Sequence, residues 1–288
     1  MRDSDNNKSF FVSDLHGKMP RYEKLFQAIE NEKPGFVFIG GDILPHVDPP
    51  RFSGERFLKG FFLPELENLY TTLGESYPSI FIILGNDDGR HGEETLQEAT
   101  EQGLVEYIHG RRVELPRWQV FGYAYVPPTP FMLKDWERYD VSRFLDVGCI
   151  SPEEGIHCFD DEEHDLKYGT IKEDLEVLTE GYDLNNGIFL FHSPPYQSNL
   201  DRADLDGVKI DHAPVDVNVG SIAIRRFIEN RQPLLTMHGH VHESARLTGS
   251  WKEHIGRTLA LSAAHDGPEL ALVSFDLDQL QEATRRLL

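Results

Sequence analysis

Ser9-Phe10-Phe11-Val12-Ser13-Asp14-Leu15-His16-Gly17 is a short apolar run that stops in a carboxylate, an imidazole and a glycine. An apolar run bounded by polar residues reads as a buried strand. In extended backbone, residues i and i+2 point to the same side. Asp14 and His16 therefore aim two metal-ligand types at one point, just past the strand's carboxyl end. Gly17 lets the chain turn sharply, and Arg21 to Glu32 reads as a helix through Tyr22, Leu25, Phe26 and Ile29. Ligands of open α/β sheets bind at the carboxyl ends of strands. Alone, Asp-x-His also describes surface turn residues; its weight comes from other strands that end in the same way.

Outward from this stretch, strand and helix alternate. Pro34-Gly35 breaks the first helix, and Phe36 to Ile39 reads as a second buried strand ending in Gly40-Gly41-Asp42. A polar loop with Pro45, His46, Pro49 and Pro50 follows, then a helical stretch from Glu55 to about Gly74, interrupted at Pro64. Ser79 to Leu84 is a third strand, ending in Gly85-Asn86-Asp87-Asp88. Such alternation predicts a parallel sheet covered by helices. Val105 to Ile108, Val113 to Leu115 and Val120 to Tyr125 read as short strands with close turns, consistent with antiparallel pairing. An irregular excursion over about 127–181 opens at Pro127-Pro128-Thr129-Pro130 and contains Trp136, Tyr139 and the acidic run Asp160 to Asp165, read as a solvated loop. A helix near Ile171 to Thr179 precedes the strand Ile188 to Phe191, which ends at His192. A long loop runs from Ser193 to about Val219, and a helix covers Ile222 to Glu229. The strand Leu234 to Met237 leads into His238-Gly239-His240-Val241-His242. Thr258 to Ser262 and Leu270 to Phe275 are further strands, and the tail from Asp276 fits a hairpin strand or a helix. Nothing in composition divides the chain, so a single domain over 1–288 is expected.

The 288 residues, 39% of them hydrophobic, suffice for a sizeable core. Asp and Glu outnumber Lys and Arg by 49 to 28, a formal net charge of −21. That charge repels a nucleic-acid backbone and argues against general nucleic-acid binding. It permits a small phosphorylated substrate, because bound cations reverse the sign locally. Cys149 and Cys158 are the only cysteines, which argues against a disulfide scaffold and for a cytoplasmic protein. Met1 to Lys8 is polar, without the apolar segment of a signal peptide. No apolar run approaches the ~20 residues of a membrane helix. The oligomeric state is not legible.

Five apolar strands thus end in candidate ligands: Asp14 and His16, Asp42, Asn86, His192, and His240 with His242. Seven ligands can hold two divalent ions if one carboxylate bridges them. The mixture of nitrogen and oxygen suits Mn, Fe, Zn or similar ions rather than Ca.

In order and content these motifs resemble the calcineurin-like metallophosphoesterase family, which carries Asp-x-His, Gly-Asp, Gly-Asn-His-Asp/Glu, a single His and Gly-His-x-His. The resemblance runs from about Phe10 to Phe275. It implies an α/β fold, a four-layer α/β/β/α sandwich with two central sheets flanked by helices. It also implies that Asp14, His16 and His242 hold one ion, that Asn86, His192 and His240 hold the other, and that Asp42 bridges them. The implied chemistry is hydrolysis of a phosphodiester or related phosphate ester by a metal-bridging hydroxide, whose pKa the ions lower. A nucleotide-type pyrophosphohydrolase is the alternative, and a non-catalytic metal-binding scaffold another. No Gly-Lys-Ser/Thr phosphate loop occurs.

The chain departs from the family at Asp87, where a His often binds phosphate or protonates the leaving oxygen. Aspartate is ionised near neutral pH, so Asp87 is a poor proton donor and repels a dianionic phosphate; alternatively it points away and supports the turn. A leaving group that needs little protonation is then favoured. His46 and His91 each lie four residues beyond a motif aspartate, Asp42 and Asp87. Either can supply the missing imidazole as a substrate contact, with His91 favoured because its loop leaves the same strand end. Plain solvent exposure is the other expectation for both. Asn86 is expected to add an amide hydrogen bond, and His238 to support the site without binding metal. Trp136 and Tyr139 are candidate substrate contacts from the excursion, with packing inside a peripheral loop as the other outcome.

Overall fold

The first strand, β1 (Lys8–Val12), turns at Gly17 into α1 (Met19–Glu32) and leads to β2 (Phe36–Gly40), as its pattern predicts. The computed structural model describes residues 6–46, 53–158 and 163–288. Met1 to Asp5, Pro49 and Pro50 of the polar loop, and Asp160 to Glu162 of the acidic run lie outside the described residues. The predicted interruption at Pro64 takes the form of a π-helical turn, Leu58–Phe62, between α2 (Ser53–Phe57) and α3 (Leu63–Leu73). The Leu63 N–H bonds back to the Leu58 carbonyl. Pro64 has no N–H to donate, and at the start of α3 none is required. β3 (Ser79–Ile83), α4 (Glu93–Glu101) and β4 (Glu106–Tyr107) complete this half.

The chain then crosses to a second sheet with β5 (Arg111–Glu114), β6 (Gln119–Tyr123) and, after the excursion, β7 (Gly187–Phe191). The excursion holds only α5 (Glu163–Tyr168) and α6 (Ile171–Leu178) as α-helices among the described residues. A small hairpin, β8 (Lys209–Ile210) and β9 (Ala213–Pro214), interrupts the next loop. Its two turn residues, Asp211 and His212, both have positive φ, as a tight hairpin turn demands. α7 (Ile222–Arg231), β10 (Leu235–His238), α8 (Ser244–Thr248), β11 (Lys252–Ile255) and β12 (Thr258–Ser262) follow. β13 (Ala271–Asp276) and β14 (Thr284–Leu287) return to the first sheet, so the tail is a hairpin strand.

The first sheet has the order β14-β13-β1-β2-β3-β4, and the second β11-β12-β10-β7-β6-β5. β1 to β4 are mutually parallel, as are β6, β7, β10 and β12. The three short strands expected as neighbours divide between the sheets. β5 and β6 pair antiparallel, but β4 extends the first sheet in parallel. The change of sheet falls at Gly110, whose φ of +63° suits a residue without a side chain.

β7 shows how the layers are held. Ile188 and Leu190 join the core between the sheets, while Phe189 and Phe191 face Ile171, Leu175, Ile224 and Phe227 from α6 and α7. A strand buried on both faces must read as a continuous apolar run. Helices flank both sheets, which is the expected α/β sandwich. β1, β2 and β3 are neighbours in one sheet, and β7 and β10 in the other. The five strand ends carrying candidate ligands are therefore adjacent.

Candidate metal centre

The parallel ladder continues past the ends of β1 and β2. Asp14 N–H donates to the Gly41 carbonyl at 3.0 Å, and His16 N–H to the Asp42 carbonyl at 2.8 Å. Asp14, His16, Asp42 and His240 all have positive φ, from 49° to 72°. Non-glycine residues rarely adopt that conformation, and such strain clusters at functional sites at a cost of about 1–3 kcal/mol each. The buried Arg21 guanidinium holds one of these bends by donating to the Asp14 carbonyl oxygen. Gly85 is required for close approach: a Cβ there would lie 2.4 Å from Asp42 Oδ1 and 2.7 Å from His192 Nε2.

The side chains converge in two groups. In the first, His16 Nε2 and His242 Nε2 lie 3.1 Å apart, and His242 Nε2 is 3.2 Å from Asp14 Oδ1. In the second, His192 Nε2 faces Asn86 Oδ1 at 3.1 Å and Asp42 Oδ2 at 3.2 Å. His192 Nδ1 donates to the Gly40 carbonyl at 2.7 Å, which commits that nitrogen and leaves Nε2 for the centre. The His240 ring lies 5.3 Å from that of His192. Asp42 adjoins both groups, with Oδ2 also 3.9 Å from His16 Nε2. His240 N–H donates to Asp14 Oδ1 at 2.9 Å and ties the two sheets together.

All seven candidate ligands predicted from the sequence are thus brought together, and all but His240 and His242 are buried. Burial would raise the Asp14 carboxyl, but the hydrogen bond with His242 and the neighbouring imidazoles hold it well below the usual carboxylate range. Burial likewise opposes, and His192 and His16 reverse, the shift at Asp42, which is also depressed. His192 is pushed up to about 9, because contact with Asp42 outweighs desolvation. Desolvation and the nearby His192 push His240 down to about 3. Buried carboxylates and imidazole nitrogens that meet at such distances fit divalent cations, and the nitrogen–oxygen donor set fits transition ions.

The supporting residues include one whose importance sequence reasoning missed. Asp88 is fully buried and accepts N–H bonds from Ile43 (3.0 Å), Leu44 (2.7 Å) and Gly85 (2.9 Å), tying the loop after β2 to the loop after β3. Burial and the nearby Asp42 push it up to about 7. The signal was its place as the last residue of the Gly85-Asn86-Asp87-Asp88 motif. His238 is buried and away from the centre, with Nδ1 2.9 Å from the Ser193 carbonyl and Nε2 2.8 Å from Thr236 Oγ1.

Asp87 does not point away. Its Oδ2 contacts His46 Nδ1 and lies 3.0 Å from His16 Nδ1, and the two rings stack at 4.7 Å. Asp87 and His46 both line a cleft of about 720 Å³ whose floor includes His16, Asp42, Asn86, His240 and His242. His91, the imidazole favoured from sequence, does not line that cleft. Its ring packs against Gly89, Gly54 and the Cys158 side of the loop, because the chain turns into α4 directly after it. The cleft walls come from the excursion and from the loop that carries β8 and β9. Trp136 and Tyr139 take no part in them. Trp136 is fully buried against His109 and Tyr125, and the Tyr139 hydroxyl donates to Glu153. Phe131 and Phe144 occupy the cleft instead.

The family model for calcineurin-like phosphoesterases matches residues 8–244. The chain belongs to that family. Among solved structures, TT1561 of Thermus thermophilus is similar at 14% identity, over 98% of this chain and 99% of that one, with a TM-score of 0.56. A dimetal phosphatase from Danio rerio is similar at 11% identity, over 98% of this chain and 96% of that one, with a TM-score of 0.53. No curated protein sequence matches significantly. Among the described residues, no helix is long and apolar enough to cross a membrane.

Proposed function

We propose that this chain is a dinuclear metal-dependent phosphoesterase that hydrolyses a phosphodiester or related phosphate ester. The observation that carries the proposal is the meeting of Asp14, His16, Asp42, Asn86, His192, His240 and His242 at adjacent strand ends, with two imidazole nitrogens only 3.1 Å apart. Asp14, His16 and His242 would hold one ion, Asn86, His192 and His240 the other, and Asp42 both. When bound, divalent cations such as Mn, Fe or Zn activate water and neutralise charge on phosphoryl oxygens. The chain's own part is to orient. The Gly40 carbonyl fixes the His192 ring, and the Asp14 carboxylate, anchored by the His240 N–H and the Ser13 hydroxyl, fixes His242. Asn86 offers an amide to a non-bridging oxygen. His46, held by Asp87 at the cleft wall, is the imidazole that contacts the phosphoryl group. With no imidazole placed at the leaving oxygen, esters with weakly basic leaving groups are favoured over alkyl monoesters.

The test combines elemental analysis with hydrolysis of an aryl diester by the metal-replete protein. About two ions per chain and metal-dependent turnover are expected, with Asp42→Ala losing the most metal. Metal-replete wild type that holds no transition ion overturns the proposal. Two ions without hydrolysis of any ester would make the chain a metal-binding scaffold.

A further inference from the structure

The cleft that continues from the metal centre is unlike a polyanion site. Its two walls present apolar side chains that are far more exposed than their chemistry favours. Phe131 is 61% exposed, Phe144 74%, Val208 40% and Ile210 38%, and all four line the cleft. Pro127, Pro128 and Pro130 stiffen the same wall. The walls also meet: a Cβ on Gly148 of the excursion would lie 2.3 Å from Ile210 Cδ1 on the β8 strand. Gly148 has a φ of +86°, so the contact exploits a residue without a side chain.

The electrostatics run the same way. None of the described residues lining the cleft is Lys or Arg, whereas Asp146, Asp216 and Glu243 join Asp87 around it. A second phosphate would find carboxylates and no Lys or Arg side chain among the described residues. A single phosphoryl group needs no more, because the bound cations neutralise it. The volume of about 720 Å³ falls within the ~300–1,000 Å³ of small-molecule sites, and apolar lining with few polar groups is what such sites show. Exposed apolar side chains gathered over a reactive centre mark a binding surface rather than chance.

We infer that the cleft receives a bulky apolar substituent of the substrate, so that the preferred ester carries one phosphoryl group and an aryl or long alkyl group without further negative charge. This inference rests on the phosphoesterase proposal. It also sets aside the nucleotide-type pyrophosphohydrolase, whose diphosphate and nucleoside have no cationic partner along these walls.

The test varies the apolar group and keeps the leaving group constant. Metal-replete enzyme is given p-nitrophenyl methyl phosphate, p-nitrophenyl octyl phosphate and a dinucleoside diphosphate. The octyl ester should exceed the methyl ester in kcat/KM by at least about tenfold, the low end of what one enclosed methylene contributes, with most of the gain in KM. That ratio should fall toward unity in Phe131→Ala and Phe144→Ala. Both side chains are largely exposed, so the folded state should survive their truncation. Octyl phosphonate should inhibit the wild type more strongly than methyl phosphonate and lose that advantage in both variants. Equal rates for the two esters overturn the inference and leave the phosphoesterase proposal standing. So does a dinucleoside diphosphate hydrolysed faster than the octyl ester, or an octyl preference that both variants retain. Failure to hydrolyse any substrate with metal bound overturns the phosphoesterase proposal, and this inference with it.

Discussion

The cleft wall that carries Phe131 is braced by a buried ion pair, and breaking it is a stringent test of this architecture. Lys134 and Glu137 have fully buried side chains. Lys134 Nζ donates to Glu137 Oε2 at 2.5 Å and to the Thr129 carbonyl at 2.8 Å. Glu137 in turn accepts the Thr129 N–H at 2.7 Å and the Thr129 hydroxyl at 2.5 Å. Glu137→Ala leaves a buried ammonium with the Thr129 carbonyl but no counter-charge, and two Thr129 donors without an acceptor. Removing one member of a buried pair costs about 3–5 kcal/mol. Replacing both, as in Lys134→Met with Glu137→Leu, removes the uncompensated charge and should restore part of that loss, since apolar replacement of a buried pair is often neutral. The two Thr129 donors stay unsatisfied, at about 1–3 kcal/mol each. Urea unfolding of the wild type, both single variants and the double variant closes the cycle. A coupling energy of at least about 2 kcal/mol is expected, in the upper range for residues in contact. Metal content should not change in Glu137→Ala, because the pair touches no candidate ligand, while the octyl-to-methyl ratio should fall as the Thr129 wall loosens. A Glu137→Ala cost below about 1 kcal/mol would refute the reasoning, because it would mean that water reaches the pair and spares it the penalty of a buried charge.

Three further outcomes are expected. His240→Ala should empty the site it would share with Asn86 and His192, and His242→Ala the site it would share with Asp14 and His16; anomalous scattering from crystals of each should show a single vacancy, and equal loss of both ions would contradict the division. Asp87→His should raise the alkyl monoester-to-aryl diester ratio and His46→Ala should lower turnover of both, while His91→Ala, outside the cleft, should leave the ratio as it is; parallel kinetics on the two esters check all three. Asp88→Ala leaves three buried N–H groups without an acceptor, at about 1–3 kcal/mol per unsatisfied group, so both the melting temperature and the metal affinity should drop, and an unchanged melting temperature would rule out its bracing role.

The frame of this molecule was legible because its strands are buried on both faces and its candidate ligands sit at their ends. Ile188 to Phe191 could only be an apolar run, and His192 could only follow it at a strand terminus. What failed to show was pairing. Nothing local distinguishes β4 from β5, since their assignment to different sheets depends on where Gly110 redirects the chain. β11, with a single buried residue in Lys252-Glu253-His254-Ile255, carries no strand signal at all. Exposure was harder still. Trp136 and Tyr139 are the candidate contacts that the sequence offers from the excursion, and Phe144, in the same segment, is not singled out. Burial decided otherwise: the indole fills space beside His109 and Tyr125, and the exposed phenyl ring was left to the cleft.

These two failures share a cause that bears on function. The strand ends answer to hydrogen-bond ladders, so their residues are confined: Asp14 N–H and His16 N–H must reach the next strand's carbonyls even at positive φ. The cleft walls answer to no ladder. Among the described residues, the excursion from Pro127 to Gly155 contains no strand: isolated bridges, turn hydrogen bonds such as Ile150 N–H to the Thr129 carbonyl, and the Lys134–Glu137–Thr129 knot hold it, and the β8–β9 hairpin pairs only with itself. Side chains on such walls can change without disturbing the ladder that aims the candidate ligands. Chemistry and selectivity are therefore separable in this chain. Substitutions at Phe131, Phe144 or Ile210 should redistribute activity among esters, whereas substitutions at Gly85 or Gly41 should abolish it for all of them. At Gly85 a Cβ would stand 2.4 Å from Asp42 Oδ1, and at Gly41 2.7 Å from His192 Nδ1, so even alanine must displace a proposed ligand. Gly85→Ala should lose metal and turnover together on every ester, and a variant that kept its metal while changing its ester preference would break this division between frame and wall.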